Sequence, residues 1–146
     1  MRVLRIFLVM LSLSGGLLAV DSPFTGTWKT KPSQGDSTSA TAKVEADEQN
    51  FRVNQDTVDD KGQSRTFKFE AKFDGKDYAV SGDPDFDSVS VHRINEREVK
   101  VTFKKAGKRV GESDISVSND GKTITLNYTN FSESTRQKHT SLWEKQ

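Results

Sequence analysis

Between Phe67 and Phe73 the chain alternates without a break. Phe67, Phe69, Ala71 and Phe73 fall on one side of an extended segment, and Lys68, Glu70 and Lys72 on the other. A two-residue period is the repeat of a β-strand, whose successive side chains point to opposite faces. The stretch therefore predicts a strand with one face buried and one in water. Asp74-Gly75 follows at once. This pair favours a tight hairpin turn, because such turns need residues that tolerate positive φ. Tyr78-Ala79-Val80 then begins the return.

The same grammar recurs along the chain. Ala42, Val44 and Ala46 alternate with polar residues, as do Phe51 and Val53, Val89 and Val91, Val99, Val101 and Phe103, Ile115 and Val117, and Ile124, Leu126 and Tyr128. Turn-forming clusters separate them at Pro32–Gly35, Asp59–Gly62, Gly82–Asp85, Asn95–Arg97, Lys105–Gly107 and Asn119–Gly121. Short strands divided by regular turn signals indicate an all-β sandwich or barrel. Beyond residue 19 the chain has no Met and only two Leu, Leu126 and Leu142. Its apolar supply is chiefly Val and Phe, which suit a half-buried pleated surface better than a helix. Sequential hairpins without long crossovers favour a single up-and-down antiparallel β-barrel of about eight to ten short strands, since closure removes both exposed edges. Phe24-Thr-Gly-Thr-Trp28 would supply the first strand, with Phe24, Gly26 and Trp28 on one face, and Arg136–Trp143 the last, paired to it. A lipid-facing barrel would need tall outer apolar bands and aromatic girdles. The apolar faces here run only three or four residues, so membrane insertion of this domain is not expected.

Residues 1–19 differ from the rest. Met1-Arg-Val-Leu-Arg5 is basic, Ile6 to Leu18 is apolar, and Leu17-Leu18-Ala19 offers a small residue for cleavage. This is the pattern of a signal peptide. It divides the chain into a signal at 1–19 and a barrel domain at 20–146, and implies a secreted or periplasmic location. With no Cys, no disulfide can form, which fits a bacterial envelope better than a small animal secretory protein. Loss of Arg2 and Arg5 leaves 20 basic against 21 acidic side chains, so the formal charge falls from +1 to −1. That balance argues against a nucleic-acid partner, which would call for a basic face. A polar outer surface and a closed sheet lead us to expect a monomer.

Gly26-Thr-Trp28 heading a meander resembles the Gly-x-Trp signature of the lipocalins and other calycin barrels. More narrowly, Pro23-Phe-Thr-Gly-Thr-Trp-Lys29 and the Trp143-Glu-Lys-Gln146 ending are similar to small secreted bacterial proteins of unassigned function with lipocalin-like barrels. The resemblance implies an Arg near the last strand packed over the Trp, a part that falls to Arg136. No pattern for a lipocalin's C-terminal helix is visible.

Signs of catalysis are absent from the sequence. There is no Gly-x-Ser-x-Gly elbow, and carboxylates are interspersed with lysines as on a solvated face. His92 falls opposite Val89 and Val91 and is expected in solvent. His139 shares parity with Trp143 and is similar to the haem-ligating position of nitrobindin-type barrels. Those barrels carry a glycine-rich stretch after the Trp, where this chain has Lys29-Thr-Lys-Pro32, so no haem or other cofactor is expected. Two His without Cys make no zinc site by spacing. Asp83-Pro-Asp85-Phe-Asp87 opens like a calcium loop but has Ser88 at the sixth place and Ile94 at the twelfth, so it reads as a solvated turn.

What remains is a binding module without catalysis. A barrel of this size can hold one small hydrophobic ligand, lined by Phe67, Phe69, Tyr78, Val101, Phe103, Leu126 and Tyr128. The alternative is a solidly packed barrel acting as a structural or interaction protein of the cell envelope. An unfilled interior favours the first, and a packed interior with an exposed apolar patch favours the second.

Overall fold

The computed structural model describes residues 21–32, 38–131 and 136–146. The segment read as a signal peptide, 1–19, lies outside the described residues. Ten strands follow one another: β1 (Gly26–Thr30), β2 (Ser39–Ala46), β3 (Asn50–Val58), β4 (Ser64–Lys72), β5 (Tyr78–Ser81), β6 (Ser88–Asn95), β7 (Glu98–Lys105), β8 (Lys108–Val117), β9 (Thr123–Asn130) and β10 (Gln137–Lys145). Each pairs antiparallel with its neighbours in sequence, and β1 pairs with β10 to close the barrel. The closing register sets Trp28 opposite Lys145 and Thr30 opposite Trp143. The all-β, up-and-down closed barrel expected from the sequence is the fold observed.

The alternation from Phe67 to Phe73 explains how the wall is built. Phe67, Phe69 and Ala71 of β4 stand opposite Gln55, Val53 and Phe51 of β3. Directly paired residues share a face, so these six form one stretch of the inner wall. Val89 and Val91 of β6 pair with Phe103 and Val101 of β7 in the same way. The polar partners look outward, where Arg52 meets Glu70 at 2.8 Å and Lys104 meets Asp77 at 2.7 Å. Such exposed pairs contribute little to stability. β5 is the narrowest part of the wall, paired through two residues on each side.

One local expectation is corrected. Phe24 does not extend the first strand. The chain turns at Pro23–Phe24, Thr25 N–H donates to the Ser22 carbonyl at 2.9 Å, and β1 begins only at Gly26. The turn folds the Phe24 ring beneath the barrel, edge-on to Phe51 with centroids 5.6 Å apart. Phe24, Trp28 and Phe51 are thereby almost wholly buried and close one end. Large side chains buried together here remove the most apolar surface per residue.

Candidate functional site

Trp28, fully buried, forms the floor of the interior. Gly26 makes the strand start possible. Its φ is +147°, and a Cβ there would stand 2.7 Å from Lys145 Cε. Lys145 lies against that glycine and brings its Nζ 5.3 Å from the Trp28 ring centroid. The cation over the tryptophan is therefore Lys145, and the part expected of Arg136 is corrected. Arg136 precedes β10, and its guanidinium stands 5.3 Å from the Phe131 ring. Since Trp28 pairs with Lys145 at the other end of β10, a strand rising about 3.3 Å per residue carries Arg136 far from it.

Above Trp28 lies a cavity of about 80 Å³. Its walls include Trp28, Phe69, Val101, Ile124 and Trp143, with Gln55 and Ser113 as polar side chains and no charged side chain among the described residues. The two indole N–H groups are already engaged, Trp28 with the Phe24 carbonyl at 2.9 Å and Trp143 with Ser141 Oγ at 3.0 Å. Gln55, Phe67, Phe103, Leu126 and Trp143 border both this cavity and a wider mouth of about 440 Å³. They form a neck between the two. The mouth is polar at its rim, where Thr57, Asp59, Arg65 and Asp83 appear.

A row of rings crosses the mouth. Phe67 meets Phe86 edge-on at 5.4 Å, Phe86 meets Phe103 at 4.7 Å, and Phe103 meets Tyr128 at 5.9 Å. Phe86 comes from the Gly82–Asp87 loop, expected from its aspartates to be a solvated turn. Asp85 and Asp87 are exposed, and hydrogen bonds fasten the loop as well. Asp85 N–H donates to Asp83 Oδ1 at 2.8 Å, Ala106 N–H donates to Asp87 Oδ2 at 3.0 Å, and Asp87 N–H donates to the Lys104 carbonyl at 2.9 Å. With its backbone so tied, the loop turns its one aromatic over the barrel.

Tyr128 takes its place because Gly111 stands on the neighbouring strand. A Cβ at Gly111 would lie 2.7 Å from Tyr128 Cε2, closer than side chains allow. Glycine inside a strand often marks such a close approach. Burial, with Asp85 and Asp83 nearby, raises the Tyr128 hydroxyl above the usual tyrosine range, so it stays a neutral donor.

Of the residues expected to line the interior, Phe67, Phe69, Val101, Phe103 and Leu126 border the cavity, and Tyr128 borders the mouth. Tyr78 borders neither. It is half-buried against the core, and its hydroxyl donates to Asp74 Oδ2 at 2.7 Å. His92 is exposed on the outer face. His139 is exposed too and pairs with Tyr128. Among the described residues, no group of three or more His, Cys, Asp or Glu is placed to hold a metal ion. Gln55, Phe86, Ser113 and Trp143 also line the site, beyond the residues that the sequence predicts. For Ser113 and Trp143 the signal was present, since they share parity with Ile115 and with the strand pairs around them. Phe86 carried none beyond being a lone aromatic among aspartates.

No family model, no curated protein and no solved structure matches this chain. What the site can do therefore follows from its own geometry. It offers dispersion contact on nearly every side, two hydrogen-bonding side chains in the interior, and a wetter, partly charged rim.

Proposed function

We propose that the barrel is a lipocalin-like binding protein of a bacterial periplasm or extracellular space that takes up one small, mostly apolar molecule and performs no chemistry on it. The observation that carries this is the apolar cavity above Trp28, which shares Phe67, Phe103, Leu126 and Trp143 with the wider mouth. Small-molecule pockets are concave and mainly apolar with a few placed polar groups, typically about 300–1,000 Å³. The mouth is of that order, and the inner cavity accepts the narrow end of a ligand.

The envelope-interaction alternative draws less support. Among the described residues, the exposed large hydrophobics are Val58, Ile94 and Leu142, on β3, β6 and β10. None of these strands neighbours another in the barrel, so the three do not merge into a patch.

Native mass spectrometry of protein purified from its own envelope tests the proposal, followed by titration with fatty acids, phospholipids and a hydrophobic dye. A co-purifying apolar molecule, or saturable binding tighter than about 1 mM, is expected. A ligand-free spectrum with no binding from the panel would refute it. The same spectrum reports whether residues 1–19 have been removed.

A further inference from the structure

Ser113 lies on the inner face of β8, between Val101 of β7 and Tyr128 of β9. It is 2% exposed, and it lines the inner cavity. Its hydroxyl has no hydrogen-bond partner among the described residues. Yet among the described residues no buried side-chain oxygen or nitrogen walled off from space is left unpaired. Both hold together only if the Ser113 Oγ opens onto the cavity. A hydroxyl taken out of water without a partner costs free energy that a Val or Ala at the same place would not. Across the barrel, Gln55 of β3 lines the same cavity. β3 and β8 are five strands apart in either direction around the ring of ten, so the two polar groups face each other. Gln55 Nε2 already donates to Thr57 Oγ1 at 3.1 Å, which makes Ser113 the less committed group.

We propose that Ser113 is the hydrogen-bonding anchor of the cavity, and that the inner end of the ligand is uncharged, with one hydroxyl or carbonyl group set in apolar carbon. This rests on the binding function proposed above and narrows its ligand class. The charge is excluded by the walls. No lysine, arginine, aspartate or glutamate lines the cavity among the described residues, so a carboxylate or ammonium there would be desolvated with nothing to neutralise it. The single polar atom is set by the space. About 80 Å³ is roughly half the ~150 Å³ of an engineered apolar cavity that takes up benzene. It admits one small group beside Ser113, and the rest of the ligand occupies the neck and mouth.

Phenol, benzene and benzoate test this on the protein as purified from its own envelope. Binding is read by isothermal titration and by tryptophan fluorescence, since both tryptophans of the chain, Trp28 and Trp143, line the cavity. Phenol is expected to bind about three- to tenfold more tightly than benzene, the worth of one neutral hydrogen bond. Benzoate is expected to bind more weakly than either. In Ser113→Ala the preference for phenol should disappear while benzene affinity holds, with a thermal melt confirming the fold. Should the alanine variant fail to fold, the wild-type ratio decides alone, and a ratio near one overturns the anchor. A phenol preference that survives Ser113→Ala overturns the assignment of Ser113. Benzoate binding as tightly as phenol overturns the uncharged class. In both cases benzene still binds and the proposed function stands, whereas no binding by any of the three overturns the anchor, and the function falls with it only if the lipid and dye panel is not bound either.

Discussion

The indole Nε1 of Trp28 donates a hydrogen bond to the carbonyl oxygen of Phe24 at 2.9 Å, wholly out of solvent. This bond fixes the turn before β1 against the ring it supports, so the barrel floor is held by a polar contact as well as by packing. Truncation and bond loss can be separated here. Trp28→Ala should cost about 3–5 kcal/mol, as other large-to-small changes in cores do. Trp28→Phe keeps most of the ring but leaves the Phe24 carbonyl unpaired, at about 1–3 kcal/mol. Urea denaturation of the two variants checks both values, and a Trp28→Phe variant as stable as the parent would mean the hydrogen bond contributes nothing.

Gly111 and Tyr128 make a second separable pair. Gly111→Ala should destabilise by about 1–3 kcal/mol, because the new methyl group displaces the Tyr128 ring. In a Tyr128→Ala background most of that cost should vanish. A double-mutant cycle in urea measures the coupling, and an undiminished cost would place the clash elsewhere.

Between β7 and β8 the hairpin turn is Ala106-Gly107, with φ of 48° and 76°. Two positive values describe the tight turn that favours Asn-Gly. Alanine in that conformation is disfavoured by its Cβ, and Asn tolerates it better. Ala106→Asn should therefore stabilise the protein by about 1 kcal/mol, seen as a higher melting temperature. An unchanged or lower value would contradict this.

Three exposed carboxylates should make stability fall in acid. Backbone N–H groups of Gln49 and Asn50 hold Asp47 below its ordinary 3.8. The Tyr78 hydroxyl, followed by the Lys76 N–H, does the same for Asp74, and Ser118 Oγ, followed by the Lys122 N–H, for Asp120. A carboxylate depressed in the folded state contributes stability above its unfolded pKa and loses it as pH falls through the folded one. The urea midpoint should thus hold steady above about pH 5 and fall towards about pH 2. Asp47→Asn or Asp120→Asn should flatten that fall.

The base side has the opposite sign. The Asp74 carboxylate raises the Tyr78 hydroxyl above 10.0, and Glu112 raises the Lys100 ammonium above 10.5. Each contributes stability fully present below its unfolded value and lost as pH rises through the folded one. The urea midpoint should decline above about pH 10, less so in Tyr78→Phe.

The sequence by itself determined the strands and the barrel. Phe67 to Phe73 alternate, Asp74-Gly75 turns, and this local information is enough to assign each side chain to one of two faces. Repeated down the chain, it left closure as the way to remove both sheet edges, and Trp143 does come round beside Thr30. Three things were decided only by the tertiary structure. Phe24 left the strand because a turn at Pro23 let its ring fill the barrel floor, a gain that no two-residue period encodes. Lys145 took the place over Trp28 expected of Arg136, because closure register, set by all ten strands together, chose which cation met the ring. Phe86 turned inward from a loop rich in aspartate, since a loop has no period to read and its direction was fixed by hydrogen bonds to Lys104 and Ala106, distant in sequence. Parity put Ser113 on the inner face, but whether its hydroxyl would meet protein or open space depended on how completely opposite walls filled the barrel between them, and that is a property of three-dimensional packing alone.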